Sequence, residues 1–307
     1  MKIAIMAAGG VGGFLGAKLA QAGVDVAMLA RGRHLDAIRT DGLTVATPKE
    51  TITVRPRIAT PSPEEIGPVD IVVFAVKLPD LEKAAGTLRP LLAPGTGVIP
   101  FQNGVEAAGL LADVIGADHA MMGTCYILAD IAEPGRIAVS GPPPRFFFGE
   151  RDGGQSPRSE AFRALVKAAG VEAPLPADIR VEVWKKFAYL AAMSGMVAVT
   201  RSTIGVIRAD PDLRRTFVRA VEETIAVART QGIALPEDSV AKSTHFLDSS
   251  PADARSSMAR DLDAGKPLEV AWLSGAVDRL GRAGGVDTPV HTTIFAALKP
   301  FAARREG

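Results

Sequence analysis

Short apolar runs alternate with helical periodicity through the first part of the chain. The runs are rich in β-branched residues, as buried parallel strands are, and they cover residues 2–7, 24–30, 71–76 and 97–101. Between the first two runs, Leu15, Leu19 and Ala22 fall on one face of a predicted helix that ends at Gly23. This alternation predicts a parallel sheet of the doubly wound kind.

The pattern changes after residue 118. Three shorter strand-like stretches follow, separated by the pair Pro134–Gly135 and the triple proline Pro142–Pro144; they are residues 120–128, 135–140 and 145–150. Their spacing predicts an antiparallel closing of the sheet.

Helical periodicity dominates from Pro176 onward. Residues 213–232 place Phe217, Val221, Ile225 and Ala228 along one stripe. We therefore predict an α/β fold, with an N-terminal Rossmann-type doubly wound sheet followed by an all-helical C-terminal domain. The expected domains are residues 1–177 and 178–307, with the boundary near residues 174–178.

Composition excludes several classes of function. The 307 residues carry a net charge of +1, which gives no general attraction to nucleic acid or anionic membranes. A single cysteine, Cys125, excludes an intramolecular disulfide framework, and the four histidines lack metal-ligand spacing. Glycines interrupt the apolar N-terminus, and no run approaches the ~20 apolar residues of a membrane span. We expect a cytoplasmic protein without a metal.

Glycines follow the first predicted strand in nearly the G-x-G-x-x-G pattern of dinucleotide-binding loops. Gly9 and Gly12 fill the second and third glycine positions, with Gly10 and Val11 between them, and Ala7 replaces the first. Gly9 lets the backbone approach a pyrophosphate, and Gly12 lets helix and strand pack closely. The alternative is a glycine-rich turn with no ligand. The position of this glycine stretch between a predicted strand and a predicted helix favours a dinucleotide.

Arginine replaces the usual acid at the end of the second predicted strand. NAD sites carry a carboxylate there for the ribose hydroxyls, whereas Arg31, with Arg33 nearby, suits the 2′-phosphate of NADP. A solvated loop arginine is the alternative. We predict NADP (NADPH) as the cofactor.

Candidate polar groups for the chemistry lie at two strand ends and on one helix. Lys77 and Asn103 follow the third and fourth predicted strands, where ligands bind in such sheets, although both also suit ordinary turns. Lys186 begins a long apolar helical segment, where partial burial would suit a general acid. A surface ion pair between Glu182 and Lys186 is the alternative.

Two further candidates lie near the C-terminus. Ser257 could cap a helix and Glu269 could begin the next one. Taken alone, each is explained by those structural roles.

Taken in order, these motifs resemble the ketopantoate reductase (2-dehydropantoate 2-reductase) family over essentially the whole chain. The matching stretches are M-K-I-A-I-M-A-A-G-G-V-G-G, L-A-R-G-R-H-L, A-V-K, Q-N-G, E-V-W-K-K-F and S-S-M-A-R-D followed by G-K-P-L-E. The resemblance implies an NADP-dependent oxidoreductase acting on CH–OH, which would reduce 2-dehydropantoate to pantoate by hydride transfer from NADPH to the C2 carbonyl, in pantothenate biosynthesis.

The same resemblance implies roles for individual residues. Lys186 would protonate the oxygen of the reduced carbonyl, and Glu269 would bind the substrate's distal hydroxyl. Ser257 would anchor the carboxylate, Asn103 would lie between substrate and nicotinamide, and Lys77 would contact the cofactor.

The chain departs from the family at two substrate-binding positions. Leu190 and Ser194 stand where the pantothenate-pathway enzymes carry asparagines. A leucine cannot donate a hydrogen bond, and a lost buried partner of this kind costs about 1–3 kcal/mol. A less polar 2-oxo acid is therefore an alternative substrate.

Other functions stay open beside this one. A non-catalytic NADPH-binding regulator fits the same departures. A dehydrogenase of the 3-hydroxyacid or glycerol-phosphate type shares the fold, but the W-K-K-F and S-S-M stretches argue against it. We also expect a possible homodimer, because the helical domain is rich in apolar faces.

Overall fold

A computed structural model describes residues 1–303 and divides them into two compact units. The first consists of Met1–Gln102 and Ala107–Arg180, and the second of Asn103–Glu106 with the chain from Val181 onward. The short segment Asn103–Glu106, which lies within the first predicted domain, thus groups with the second unit.

Strands and helices alternate in the first unit as the apolar pattern predicts. The strands are β1 (Lys2–Met6), β2 (Asp25–Leu29), β3 (Leu43–Ala46), β4 (Thr51–Val54), β5 (Ile58–Thr60), β6 (Ile71–Phe74), β7 (Gly97–Pro100), β8 (Met121–Glu133) and β9 (Arg136–Glu150). The helices are α1 (Gly10–Gln21), α2 (Gly32–Asp41), α3 (Leu81–Ala85), α4 (Ala107–Ile115) and α5 (Pro157–Ala168).

Five strands form the predicted parallel sheet, in the order β5-β2-β1-β6-β7. Every pair in it is parallel, with Met6 opposite both Leu29 and Phe74. In the central strands β1 and β6 every residue except the half-buried Lys2 is buried, which explains their apolar sequence. The Rossmann-type prediction is confirmed, and the carboxyl ends of β1, β2 and β6 meet at one edge.

The antiparallel strands do not close this sheet, and that prediction was wrong. β8 and β9 pair with each other and with β3 and β4 in a second sheet, in the order β4-β3-β9-β8. The two sheets share only an isolated bridge between Val98 and Ala120 among the described residues.

The triple proline also does not break its strand. Between Ser140 and Arg145 the register of β9 skips while β8 advances only from Tyr126 to Leu128. Prolines, which cannot donate to a ladder, therefore occupy a wide irregularity within one continuous strand.

Glycines let α1 lie close against both sheets. A Cβ at Gly16 would come within 2.7 Å of the Ile5 side chain, and a Cβ at Gly13 would collide with Ile137 of β9. The helix begins at Gly10, four residues before the predicted start, so the glycine-rich segment forms its first turn.

The second unit is helical, as predicted. Its helices are α6 (Ile179–Thr200), whose first two residues belong to the first unit, α7 (Ile204–Ala209), α8 (Pro211–Thr230), α9 (Ser239–Ser249), α10 (Ser257–Asp263), α11 (Ser274–Gly284) and α12 (Pro289–Leu298). The predicted stripe of α8, from Phe217 to Ala228, is buried in the core of this unit. Across residues 1–303, no helix has the length and apolar character needed to cross a membrane.

Candidate functional site

The turn between β1 and α1 contains a strained alanine. Ala7 has φ 77°, in the left-handed region that glycine adopts readily and other residues adopt at a cost of about 1 kcal/mol. Ala7 stands at the first glycine position of the loop pattern. The loop therefore keeps the backbone geometry of the missing glycine despite the methyl group.

The remaining glycines of the loop have distinct steric roles. A Cβ at Gly12 would collide with the carbonyl oxygen of Ala7, so helix and strand could not approach as they do. A Cβ at Gly10 would collide with the carbonyl oxygen of Ala129 on β8. At Gly9, by contrast, a Cβ would meet nothing within 4 Å. Space is therefore open at the second glycine position, where a pyrophosphate would approach.

The helix N-terminus beside this space suits an anion. Gly9 is the N-cap residue of α1 and its backbone is extended, while the first turn contains no acidic residue. The first backbone N–H of α1 that bonds within this turn is that of Gly13, which donates to Gly9 O at 2.7 Å. The N–H groups of Gly10, Val11 and Gly12 precede that bond and carry the positive end of the helix dipole. These residues fit the pyrophosphate of a dinucleotide.

Two hydrogen bonds fix the peptide groups on either side of Ala8, the residue after Ala7. The N–H of Ala8 donates to Leu29 O at 2.8 Å, and the Ala8 carbonyl lies 2.8 Å from Nε2 of His34. The other ring nitrogen of His34, Nδ1, accepts from the N–H of Gly135 at 3.0 Å. His34 was not among the predicted site residues, and only its position next to Arg31 and Arg33 pointed to it.

Arg31 lies at the end of β2, as the sequence predicts. It is the N-cap residue of α2, its side chain is exposed, and no acidic residue occurs in the first turn of that helix. Arg33 is exposed as well. A 2′-phosphate at this place would meet guanidinium groups and a helix N-terminus.

The ends of β6 and β7 place two polar side chains at the same sheet edge. Lys77 follows β6 and is exposed at the N-terminus of a 3-10 turn, Leu78–Asp80. Gln102 follows β7, and its Nε2 donates to Phe74 O at 3.1 Å and to Val76 O at 3.0 Å. Its buried Oε1 has no hydrogen-bond partner among residues 1–303, which suits a donor on a bound ligand.

The second unit brings together three residues that are far apart in sequence. Nζ of Lys186 on α6 donates to Oδ1 of Asn103 at 3.0 Å. Nδ2 of Asn103 donates to Oε2 of Glu269 at 3.4 Å. All three side chains are half-buried. The Asn103 amide thus presents its oxygen to the ammonium group and its nitrogen to the carboxylate, so that each end matches the charge that it faces.

The segment that carries Asn103 is held within the second unit. Glu106 forms an ion pair with Arg279 at 2.7 Å. Gly104 has φ 97°, and a Cβ there would come within 3.1 Å of Trp272 O. Both features fix the backbone next to Asn103.

Glu182 forms its ion pair with the neighbouring lysine. Its Oε1 accepts from Nζ of Lys185 at 2.7 Å, an i,i+3 pair on the surface of α6. Glu182 therefore forms its surface ion pair with Lys185 and not with Lys186, whose side chain reaches Asn103.

Three further predicted residues occupy different environments. Leu190, one turn after Lys186, is half-buried, whereas Ser194 is only 1% exposed, so a substrate contact there requires its neighbours to move. Ser257 is exposed in the first turn of α10 and does not cap the helix; Oγ of Ser256 accepts from the N–H of Ala259 instead. The capping prediction was therefore off by one residue.

Known proteins match the chain along nearly its whole length. Residues 3–153 match the family model described as ketopantoate reductase PanE/ApbA, and residues 178–302 match its C-terminal counterpart. A 2-dehydropantoate 2-reductase of Mesorhizobium japonicum is 32% identical over 99% of each chain. One of Halobacterium salinarum is 30% identical over the whole of both chains. A solved PanE/ApbA family ketopantoate reductase of Ralstonia eutropha superposes with a TM-score of 0.88, at 30% identity over 98% of each chain.

Proposed function

Because the chain belongs to the ketopantoate reductase PanE/ApbA family and is an oxidoreductase acting on CH–OH, we propose that it reduces 2-dehydropantoate to pantoate with NADPH. This reaction would place it in pantothenate biosynthesis. The observation that carries the proposal is the hydrogen-bonded set of Lys186, Asn103 and Glu269.

Lys186 is the proton donor in this proposal. Reduction of the C2 carbonyl forms a C–H bond, and the electron pair of the C=O π bond moves to the oxygen. The Lys186 ammonium stabilises that developing negative charge and transfers a proton to it, giving the hydroxyl group. Asn103 holds Nζ at 3.0 Å and so limits the positions that the ammonium can take.

Glu269 and Ser257 bind the two ends of the substrate. The Glu269 carboxylate accepts a hydrogen bond from the distal hydroxyl of 2-dehydropantoate, and the exposed Ser257 anchors its carboxylate. Glu269 also accepts from Asn103, so the residue that binds substrate helps to orient the lysine partner. Leu190 lies one turn of α6 beyond Lys186 and offers an apolar surface to the substrate.

The cofactor residues are those of the first unit. NADPH supplies the hydride when it is bound. The N–H groups of Gly10, Val11 and Gly12 would hold its pyrophosphate next to the open space at Gly9, and Arg31 would hold the 2′-phosphate. Lys77 adds a positive charge at the end of β6.

A less polar 2-oxo acid is the second candidate substrate. Leu190 is half-buried and has no hydrogen-bonding group, while Ser194 is almost completely buried. Neither side chain replaces an asparagine amide toward a hydroxylated substrate. This alternative keeps the same proton donor and changes only the substrate.

Oxidation of NADPH, followed by absorbance, tests the proposal. We expect turnover with 2-dehydropantoate, with kcat on the order of 1–10³ s⁻¹. Turnover only with an apolar 2-oxo acid would favour the second candidate. NADPH binding without turnover on any 2-oxo acid would favour a non-catalytic regulator.

Lys186→Ala tests the assignment of the proton donor. We expect kcat to fall about 10²- to 10⁴-fold while the Kd for NADPH stays unchanged, because the residue acts on the substrate oxygen. Lys185→Ala is the matched control, since it removes the neighbouring positive charge of the same helix and should keep kcat. Equal kcat values for the two variants would contradict the assignment.

A further inference from the structure

His34 connects three segments of the first unit. Its ring reaches the carbonyl of Ala8 in the loop and the N–H of Gly135 in the turn between β8 and β9. The residue itself lies in the first turn of α2, three residues after Arg31. The loop, α2 and the turn between β8 and β9 thus meet at the imidazole of His34.

The hydrogen bonds of His34 fix its tautomer. The N–H of Gly135 can only donate, so Nδ1 accepts and carries no proton. The carbonyl of Ala8 can only accept, so Nε2 carries the proton and donates to it. A neutral imidazole with its proton on Nε2 satisfies both backbone groups.

The peptide group that His34 contacts is the second one after the strained residue, between Ala8 and Gly9. Ala7 has φ 77°, the N–H of the Ala7–Ala8 peptide group donates to Leu29 O, and the carbonyl of the Ala8–Gly9 peptide group accepts from His34. A non-glycine residue stays in this region only where its surroundings enforce the conformation. Leu29 and His34 supply that constraint on the C-terminal side of Ala7.

We propose that His34 is a positioning residue that holds the loop in its anion-binding conformation, and that the loop needs it because Ala7 replaces a glycine. This inference rests on the proposed dinucleotide site of the first unit. With a glycine at position 7 the left-handed conformation is intrinsically accessible, so the bond from His34 should matter much less. The effects of the two residues on cofactor binding should therefore be coupled.

Two substitutions separate the hydrogen bonds of His34. In His34→Asn the side-chain oxygen takes the place of Nδ1 and can still accept from Gly135, while the bond to Ala8 is lost. In His34→Gln the side-chain nitrogen reaches the place of Nε2 and can still donate to Ala8 O. Only the bond to Ala8 constrains the loop, so the proposal predicts different results for the two variants.

The test measures the Kd for NADPH of the full chain by titration calorimetry. We expect His34→Asn to raise the Kd about tenfold and His34→Gln to change it less than about twofold. In the Ala7→Gly background, His34→Asn should raise the Kd no more than about twofold to threefold. His119→Ala is the control, because it removes another histidine bond to a backbone carbonyl, that of Thr96, and should leave the Kd unchanged.

Two results would overturn the inference. One is an equal loss of affinity in His34→Asn and His34→Gln. The other is a loss in His34→Asn that is as large with Ala7→Gly as without it.

Thermal unfolding without cofactor keeps this inference separate from the proposed function. If the protein binds neither NADPH nor NADH, the dinucleotide proposal fails, but the proposed constraint of His34 on the loop still makes a prediction. Ala7→Gly should raise the Tm by about 2 °C in the protein that retains His34, because His34 there enforces the strained backbone of Ala7 and glycine relieves that strain. In the His34→Asn background the gain should be clearly smaller, because the strained conformation is no longer enforced. The same gain in both backgrounds would overturn the role of His34.

Discussion

Arg31 is the residue on which the choice between NADPH and NADH should depend. It follows β2, is exposed, and has no acidic residue in the first turn of its helix. Arg31→Ala should lower the preference for NADPH over NADH about tenfold, because one charge-assisted contact to the 2′-phosphate is lost. Affinity for NADH should hardly change.

Titration with both cofactors measures this ratio. Arg39→Ala is the matched control, since it removes an equal charge from the last turn of the same helix, where Nε of Arg39 contacts Ala59 O. A ratio that stays the same in Arg31→Ala would show that the NADPH preference, if there is one, has another source.

Single residues of the loop were predictable from sequence because their roles are local. Gly9 and Gly12 lie within one turn, and the steric reasons for them follow from their spacing. Lys186 and Asn103 are 83 residues apart, and Asn103 and Glu269 are 166 apart. Spacing cannot bring such residues together. Asn103 and Lys186 were candidates from a strand end and a helix start, and only the family resemblance placed them in one site with Glu269.

At the scale of elements, Glu223 of α8 supplies the cap that α12 lacks in its own sequence. The N-cap residue Thr288 makes no side-chain cap hydrogen bond. The Glu223 carboxylate accepts instead from the N–H of Val290 at 2.9 Å and from that of His291 at 3.0 Å. Two N–H groups of the first helical turn are satisfied by a neighbouring helix.

Glu223→Ala should therefore lower the free energy of unfolding by about 1–3 kcal/mol, because both N–H groups lose their partner in a half-buried place. Urea unfolding followed by tryptophan fluorescence is the measurement. Both tryptophans, Trp184 and Trp272, lie in the second unit, as does Glu223.

The neighbouring residue offers the control for this substitution. Glu222 is exposed on the same turn of α8, so Glu222→Ala removes an equal charge and should change stability by less than about 0.5 kcal/mol. Equal losses in the two variants would mean that the carboxylate of Glu223 does not cap α12.

Elements differed in how well sequence predicted them, for a physical reason. The pattern of α8 was visible because one face of this helix is buried, and the patterns of β1 and β6 because nearly every residue of these strands is buried. β3, β4 and β5 are short and rich in threonine, and no apolar run marks them. They are strands because β3 pairs with β9 and β4, and β5 pairs with β2, and pairing is not visible in a local pattern.

At the scale of the whole molecule, the near-neutral charge leaves individual buried groups to set the dependence of stability on pH. The chain carries a net charge of +1 at pH 7, so general charge repulsion is weak there. His291 is fully buried. Its Nε2 lies 2.9 Å from Ala220 O and therefore carries the proton, and Nδ1 lies 3.2 Å from Oγ of Ser274. Burial lowers the pKa of His291 to about 4.

A lowered histidine pKa makes the folded protein less stable in acid. Between the usual value of 6.5 and about 4 the unfolded chain binds a proton that the folded chain does not, so stability falls as the pH falls through this range. Glu223 opposes this effect, since burial raises its pKa and the folded chain holds a proton that the unfolded chain releases. Comparison of a His291 variant with the parent protein isolates the histidine contribution.

His291→Gln should remove that contribution, since the glutamine amide can still donate to Ala220 O but does not titrate. From pH 7 to pH 5 the parent protein should lose about 2 kcal/mol more unfolding free energy than this variant. Urea unfolding at both pH values, followed by tryptophan fluorescence, measures the difference in the unit that contains His291. The exposed His245 provides the control His245→Gln, which should lose as much as the parent. If His291→Gln loses as much as the parent, the acid sensitivity of the second unit arises from its carboxylates, because their protonation would then be the remaining change in this pH range.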